Sequence, residues 1–173
     1  MNFAIIGATG NVGLKTIDIL KKSKLRIDNL FLVASKKSAG KKISFKKKKI
    51  KIISLENYDF SKAQITFFAA GSIIAKKWAP IAAKKTIVID NSNYFRMHKD
   101  ISLVVPEVNE KVLKNYKKTN IIANPNCSTA QLVVALKPLH DKFKIKRIVV
   151  STYQAVSGAG KAPTDELFSQ TKD

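Results

Sequence analysis

The sequence predicts an α/β fold in which a doubly wound, mostly parallel sheet carries helices on both faces, and three observations lead to this prediction. Apolar runs of strand length alternate along the chain with segments of helical periodicity. A glycine-rich turn at residues 7–13 joins the first such run to the first such segment. The chain has 173 residues, of which 45% are hydrophobic, so it can bury the core of about one domain.

The first part of the chain is expected to begin with a strand at residues 2–6, a short apolar run that ends in glycine. Apolar residues cluster towards one side of a helix over residues 12–22. The apolar run at residues 30–34 predicts a second buried strand. Apolar and polar residues partly alternate over residues 41–53, which predicts a pair of strands joined by a hairpin, with the lysine run 46–49 at its tip.

The rest of the chain continues this alternation. Further strands are expected at residues 64–69, 86–90, 102–105, 120–123 and 146–153. Helices are expected at residues 74–84, 108–116 and 128–139, and another begins after the glycine-rich residues 157–160. Short strands that alternate with helices favour a parallel sheet.

The net charge of +20 comes mainly from lysine, because all but three of the 32 basic residues are lysine. A surface built for phosphate recognition usually includes arginine, whose planar fork binds phosphate at two points. Aromatic residues do not interleave with the lysine runs, as a base-stacking surface would require. The charge is therefore interpreted as solvated surface lysine, and no nucleic-acid partner is expected.

Several other classes are also disfavoured. No apolar stretch reaches the roughly 18–20 residues of a membrane span, and residues 1–10 lack the basic start of a signal peptide. The single cysteine, Cys127, excludes an internal disulfide. We expect a cytoplasmic protein with no membrane partner and no metal site.

The turn GATGNVG at residues 7–13 has the spacing G-x-x-G-x-x-G, a variant of the dinucleotide-binding fingerprint, between a predicted strand and a predicted helix. Glycine permits the tight turn and lets the main chain approach a pyrophosphate. The helix N-terminus offers free N–H groups to the anion. The alternative is a glycine turn that only joins strand to helix.

The end of the second strand indicates which dinucleotide binds. NAD sites usually place a carboxylate there to hold the ribose 2′-hydroxyl. This strand ends instead in Ser35, Lys36, Lys37 and Ser38, whose hydroxyls and ammonium groups suit a 2′-phosphate. The sequence therefore predicts NADP as the cofactor. The alternative is an exposed lysine-rich loop.

The segment Asn124-Pro125-Asn126-Cys127 forms a turn between a predicted strand and a predicted helix. Cys127 then lies at or near a helix N-terminus, a position that favours the nucleophilic thiolate. The same N–H groups could stabilise an oxyanion on an attacked carbonyl. The alternative is a small buried apolar residue, the usual fate of a lone cysteine.

Together, GATGNVG at 7–13, NPNCST at 124–129 and STYQAVSGAG at 151–160 resemble the aspartate-semialdehyde dehydrogenase family. Supporting strings are ASKKSAGKK at 34–42, FFAAGS at 67–72, DNSNYFRM at 90–97 and VVPEVN at 104–109. The related N-acetylglutamyl-phosphate reductases typically carry an NPGCYPT-like turn, which this sequence lacks. The resemblance implies a Rossmann-like NADP-binding domain at 1–126 and the beginning of an α+β catalytic and dimerisation domain at 127–173.

The resemblance also implies a reaction, the NADPH-dependent reductive dephosphorylation of L-aspartyl-4-phosphate to aspartate semialdehyde, on the way to lysine, threonine and methionine. It assigns roles to residues in four groups. Cys127 would be the nucleophile and Gln154 would orient the acyl group beside it. Arg96 and Asn126 would contact the phosphate. The pyrophosphate would lie on Thr9, Gly10, Asn11 and Val12, and the 2′-phosphate on Ser35, Lys37 and Ser38. Gly71 would lie alongside the cofactor, and Ser157 and Gly158 near the nicotinamide.

Members of that family continue beyond the length of this chain, and the resemblance places their acid/base histidine, their site for the substrate carboxylate and much of their dimer-forming sheet in that further part. They are expected to form homodimers or dimers of dimers. His98 and His140 lie outside the matching motif and are interpreted as surface histidines. We therefore expect this chain alone to be an inactive fragment; the alternative is a non-catalytic NADP-binding module.

Overall fold

The computed structural model of the chain describes residues 1–172, and its framework is an eight-stranded sheet. The strands are β1 (Asn2–Ile6), β2 (Asn29–Ala34), β3 (Lys42–Phe45), β4 (Lys48–Ser54), β5 (Ile65–Phe68), β6 (Ile87–Asp90), β7 (Ser102–Leu103) and β8 (Ile121–Ala123). They lie in the order β3-β4-β2-β1-β5-β6-β8-β7, and every neighbouring pair is parallel except β3 with β4. The predicted doubly wound, mostly parallel sheet is confirmed.

The helices follow the strands in alternation. They are α1 (Asn11–Lys22), α2 (Ser72–Ala83), α3 (Pro106–Asn109), α4 (Cys127–Phe143) and α5 (Lys161–Gln170). Short 3-10 helices lie at Lys36–Ser38, Leu55–Asn57, Phe60–Lys62, Glu110–Lys118 and Val156–Ala159.

The core has two layers because successive side chains of a strand point to opposite faces of the sheet. Ile5 of β1 is fully buried in the cluster that includes Ile17 of α1. The neighbouring residue, Ala4, is buried in the opposite cluster with Ala79 of α2. Helices thus cover both faces, which explains why the strands are continuous apolar runs rather than alternating ones.

The strand order reverses at β1. From β1 the chain proceeds to β2 and β4 on one side, and then returns to β5 and β6 on the other. In such sheets, ligands bind in the crevice outside the carboxyl ends of the strands at this reversal. The fold therefore places a ligand site between the residues that follow β1 and those that follow β5.

Three elements differ from the sequence prediction. The strand predicted at 146–153 is wrong: residues 144–155 have no regular secondary structure, and Tyr153 is 98% exposed. Its composition favours a strand, but among residues 1–172 no neighbouring strand pairs with it. The helix predicted at 108–116 is mostly a 3-10 helix, because Asn109 leaves helical geometry (φ −143°, ψ 34°). The hairpin turn is Lys46–Lys47, and Lys48 and Lys49 belong to β4.

Candidate active site at the carboxyl ends of the strands

The glycine turn after β1 is held by backbone contacts that only glycine permits. Gly7 has φ +86°, and its N–H donates to the Val33 carbonyl at 2.8 Å. A Cβ on Gly7 would lie 2.6 Å from the Ala69 carbonyl oxygen. A Cβ on Gly13 would lie 2.9 Å from Ala8 Cα and closer still to the Gly7 carbonyl oxygen. These contacts bring α1 and the loop after β5 directly against the turn.

Gly10 has a different environment. A Cβ there would lie 3.5 Å from the Gly7 carbonyl oxygen, which is ordinary van der Waals contact. Gly10 lines an open cleft and precedes the first residues of α1, Asn11 and Val12, both exposed. The N–H groups of a first helical turn have no acceptor within the helix. The Gly10 N–H donates to the Gly7 carbonyl at 3.0 Å, so among the positions predicted for the pyrophosphate the first helical residues, Asn11 and Val12, offer backbone donors to an anion.

The cleft beside the turn has a volume of about 920 Å³. It is bounded by the ends of β1, β2 and β5, the segment after β4, and the first turns of α2. Its lining residues are Ile6, Gly7, Thr9, Gly10, Ala34, Ser35, Leu55, Glu56, Ala69, Ala70, Ile73, Ile74, Lys76, Lys77 and Trp78. Mostly apolar walls with a few polar groups are typical of cofactor sites. A dinucleotide fits this donor set, with its pyrophosphate against the glycine turn.

The structure separates the residues predicted to bind the 2′-phosphate. Ser35 precedes the 3-10 helix Lys36–Ser38 and lines the cleft. Lys37 is exposed and Ser38 half-buried, and neither is among the described residues that line the cleft. Gly71 has φ +80° and is the N-cap of α2, so it sets the direction in which that helix leaves the cleft.

Cys127 is the first residue of α4, as the turn predicts. Asn126 is the N-cap, and its Oδ1 accepts a hydrogen bond from the Ser128 N–H at 2.9 Å. The thiol lies 3.9 Å from the same Oδ1 and is exposed. The alternative of a buried apolar cysteine is therefore wrong. Asn126 fixes the start of the helix and leaves the sulfur accessible to a substrate.

Arg96 lies at the same edge of the sheet, in the loop after β6. Its Nε donates to the Asn124 carbonyl at 3.0 Å, and its Nη2 donates to the Asn91 carbonyl at 3.3 Å. The Asn124 side chain also donates to Asn91 Oδ1 at 2.7 Å. The half-buried guanidinium is thus held against the ends of β6 and β8. Asn124, its partner after β8, lies three residues before Cys127.

A buried carboxylate supports this loop. Asp90, the last residue of β6, is fully buried and accepts hydrogen bonds from the Ser92 N–H at 3.2 Å and the Ser92 hydroxyl at 2.6 Å. Burial raises the pKa of Asp90, and the Ser92 hydrogen bonds and the Arg96 charge partly offset that rise. The Ser72 hydroxyl donates to Asn93 Oδ1, which connects the start of α2 with the Arg96 loop.

Comparison with known proteins identifies the arrangement. Residues 2–116 match the family described as semialdehyde dehydrogenase, NAD binding domain, and residues 136–173 match semialdehyde dehydrogenase, dimerisation domain. The chain belongs to the semialdehyde dehydrogenase family. The resemblance indicated by the motifs is confirmed.

Proteins similar to this chain share the name aspartate-semialdehyde dehydrogenase. Aspartate-semialdehyde dehydrogenase of Rickettsia bellii is 52% identical over 99% of this chain and 51% of its own length. The crystal structure of aspartate semialdehyde dehydrogenase II complexed with ASA from Vibrio cholerae is 49% identical, with a TM-score of 0.95 over 99% of this chain and 51% of that one. Aspartate semialdehyde dehydrogenase with NADP from Candida albicans is 28% identical, with a TM-score of 0.63 over 83% and 48%. The chain spans about half the length of the curated relatives it matches.

The segment matched by the dimerisation domain carries the remaining predicted site residues. Gln154, Ser157 and Gly158 are exposed, and the Gln154 side chain lies directly against Gly158. Within the described part of the chain, every hydrogen bond of residues 145–172 stays inside that segment. The structure therefore does not connect these residues by hydrogen bonds with Cys127 or with the cleft, whereas Asn126 lies beside the thiol and Arg96 is hydrogen-bonded to Asn124, three residues before it.

Among the cleft residues that the sequence prediction did not include, four have charged or aromatic side chains: Glu56, Lys76, Lys77 and Trp78. Glu56 follows β4, which pairs with β2 so that Ser54 lies beside Ala34. The carboxyl ends of neighbouring parallel strands share an edge, and this rule could have indicated Glu56 had the strand order been known. The lysines and Trp78 lie on the face of α2 that meets the cleft, which the sequence pattern does not reveal.

Neither histidine is among the described residues that line the cleft. His98 is exposed beside the rings of Tyr94 and Phe95, and His140 is exposed in the last turn of α4. Over residues 1–172, no group of histidine, cysteine and acidic side chains is arranged to hold a metal ion. Within the same residues, no helix has both the length and the apolar character needed to cross a membrane.

Proposed function

We propose that this chain provides the NADP-binding site and the nucleophile for the reductive dephosphorylation of L-aspartyl-4-phosphate to L-aspartate 4-semialdehyde. The observation that carries the proposal is the exposed Cys127 thiol at the start of α4, at the same edge of the sheet as Arg96 and the dinucleotide cleft. The shared name of its relatives supports this substrate.

The first chemical step uses Cys127 and the residues around it. The thiolate attacks the acyl carbon, a carbon–sulfur bond forms, and the carbon–oxygen bond to phosphate breaks, so that a thioester and inorganic phosphate result. Arg96 suits the phosphate because its planar guanidinium binds two oxygens at once. Asn126 lies beside the thiol and is the second residue assigned to the phosphate.

The second step reduces the thioester. NADPH, when bound, supplies the hydride that converts the thioester carbonyl to the aldehyde. Cys127 then leaves as the thiolate and is ready for another cycle. We assign Gln154 to the orientation of the acyl group, and Ser157 and Gly158 to the nicotinamide end, by their place in the family motif.

The cofactor assignment depends on the residues along the cleft. Thr9, Gly10, Asn11 and Val12 would hold the pyrophosphate, since this turn begins α1. Ser35, Lys37 and Ser38 would hold the 2′-phosphate, and Gly71 would lie alongside the cofactor. The structure of the Candida albicans relative with NADP supports the choice of NADP over NAD.

The assembly follows from the second family match. Residues 136–173 match a dimerisation domain, and we propose that the protein acts as a homodimer or a dimer of dimers. We place the boundary between the NADP-binding domain and the catalytic and dimerisation domain at 126/127, directly before the nucleophile. The partners are small molecules, aspartyl phosphate and inorganic phosphate, and we propose a cytoplasmic location.

Two measurements test the proposal. Calorimetric titration of the chain should show tighter binding of NADPH than of NADH, and Ser35→Ala should reduce that preference. Incubation with L-aspartyl-4-phosphate should add one aspartyl group to the wild-type chain, detected by intact-mass spectrometry and removed by hydroxylamine. Cys127→Ser is the matched control, since it retains the shape of the site. An adduct of equal yield on Cys127→Ser would refute the thioester mechanism, and equal affinity for both cofactors would refute the NADP assignment.

A further inference from the structure

The cleft extends from the glycine turn to one side only. Beyond the turn, its walls come from the ends of β2 and β4 and from α2, and no described residue of β6, β8 or α4 lines it. Cys127 lies on the other side, at the start of α4. Because hydride transfer requires the nicotinamide near the Cys127 thioester, the cleft on the β2 and β4 side must hold the adenosine half of a dinucleotide.

The strand order gives the order of subsites within this half. The pyrophosphate meets the turn after β1, and Ser35 follows the neighbouring strand, β2. The next strand outwards is β4, where Ser54 pairs with Ala34, so Glu56 lies about one strand spacing, ~4.8 Å, beyond the level of Ser35. In an adenosine nucleotide the ribose follows the pyrophosphate and the base follows the ribose. Glu56 therefore lies at the level of the base.

The walls at this level suit a flat aromatic ring. Leu55, which precedes Glu56, is buried, and Ile74 and Trp78 project from α2 across the cleft. Trp78 is half-buried and packs 6.3 Å from Phe60, ring centre to ring centre. A purine between these apolar side chains would leave only its polar edge exposed to Glu56.

Glu56 is the only carboxylate among the described residues that line the cleft. Within residues 1–172 its exposed side chain has no hydrogen bond and belongs to none of the ion pairs, so both oxygens are available as acceptors. A carboxylate only accepts hydrogen bonds, and it would repel the 2′-phosphate that Ser35 is proposed to bind. On the adenosine half of NADP, the donor at the level of the base is the exocyclic amino group of adenine.

We propose that Glu56 accepts a hydrogen bond from the exocyclic amino group of adenine and thereby selects adenine over bases that lack this group. The inference depends on the proposed dinucleotide function of the cleft. It makes Glu56 a specificity-determining residue at the end of the site farthest from the chemistry.

The test compares NADPH with reduced nicotinamide hypoxanthine dinucleotide phosphate, in which a carbonyl oxygen replaces the amino group. The wild-type chain should bind NADPH at least about tenfold more tightly than the hypoxanthine analogue. In NADPH the amino group donates a hydrogen bond to the charged Glu56 carboxylate, whereas in the analogue the carbonyl oxygen and the carboxylate are both acceptors and repel each other. Glu56→Gln should bring the ratio close to one, since the amide donates to the carbonyl as readily as it accepts from the amine. Glu110→Gln, an exposed glutamate outside the cleft, should keep the wild-type ratio.

The outcomes separate the two proposals. If the wild-type chain binds neither dinucleotide, the proposed function fails and this inference fails with it. If NADPH binds and Glu56→Gln keeps the wild-type ratio, Glu56 does not contact the base. If Glu56→Gln tightens NADPH but not NADH, and the hypoxanthine ratio is unchanged, the carboxylate faces the 2′-phosphate and the assignment is wrong.

Discussion

Substitution of Gly13 by alanine tests whether the glycine turn is required for folding or only for the cofactor. Gly13 lies in the first turn of α1, where alanine would ordinarily stabilise the helix by ~1 kcal/mol. Here the new Cβ would lie 2.9 Å from Ala8 Cα, 3.0 Å from the Gly7 carbonyl carbon and closer still to its oxygen. All three are backbone atoms, so no flexible side chain can move aside.

The expected magnitude follows from these opposing effects. Overpacking in a well-packed interior costs ~1–3 kcal/mol, and contact with three backbone atoms corresponds to the upper end of that range. After subtraction of the gain in helix propensity, Gly13→Ala should lower the free energy of unfolding by ~2 kcal/mol. For a chain of this size that corresponds to a fall in Tm of about 4–8 °C.

Gly10→Ala is the matched control, because its Cβ would lie no closer than 3.5 Å to the Gly7 carbonyl oxygen and would project into the cleft. Urea unfolding followed by circular dichroism should give a free energy within ~0.5 kcal/mol of wild type. Calorimetry should nevertheless show NADPH binding weakened by about tenfold or more, since the methyl group would lie at the place proposed for the pyrophosphate. Unfolding of Gly13→Ala at the wild-type urea concentration would refute the steric argument.

Four further results are expected. Asn126→Ala removes the acceptor of the Ser128 N–H and should cost ~1 kcal/mol in urea unfolding, and an unchanged midpoint would mean that α4 needs no cap. Hydrogen bonds from Ser61 and Lys85 lower the pKa of Asp59 to about 2. The stabilising effect of the Asp59 carboxylate is therefore present above pH 3.8 and is lost as the pH falls. The stability difference between wild type and Asp59→Asn should be larger at about pH 6 than at about pH 3. Burial raises the pKa of Asp90, so the contribution of this group to stability is present below pH 3.8 and is lost as the pH rises. The stability difference between wild type and Asp90→Asn should therefore be smaller at about pH 6 than at about pH 3. If the differences for Asp59→Asn and Asp90→Asn changed with pH in the same direction, these assignments would be contradicted. The purified chain of residues 1–173 should show no appreciable phosphate-dependent oxidation of aspartate semialdehyde. General acid–base catalysis alone raises a reaction rate about 10²–10⁴-fold, and the resemblance places the acid/base residue in the further part of the family's sequence. Substantial turnover would contradict that assignment.

The sequence predicts those elements of the fold whose signals are local. β1, β6 and β8 are short apolar runs that end at Gly7, Asp90 and Asn124, and all three strands form where expected. The strand predicted at 146–153 is wrong because strand composition does not provide a strand partner, and a strand is stable only when a neighbour forms its hydrogen bonds. The 3-10 helix at Glu110–Lys118 departs from the helical prediction because Asn109 hydrogen-bonds with Val105 and Leu103.

The candidate site also has a part that the local sequence predicts and a part that it does not. The proposed nucleophile, Cys127, was recognisable in the sequence because Asn126 caps a helix that begins one residue later, and both residues act over a few positions of the chain. The arginine was recognisable only through the family motif, since its hydrogen bond to the Asn124 carbonyl joins residues 28 positions apart. Composition alone gives no reason to place Arg96 against Asn124, three residues before Cys127.

The sequence by itself determined the turns of this protein: glycines at 7, 10 and 13, and the asparagine that begins the helix of Cys127. Their conformations depend on backbone sterics and on hydrogen bonds within one or two helical turns, which the local residues specify. Only the tertiary structure decided that Glu56 and Lys77 line the same cleft as Ser35, and that Gln154 does not line it. The physical reason is that these relations depend on the order of strands in the sheet and on which helix face meets it, and both are set by packing between segments far apart in the chain.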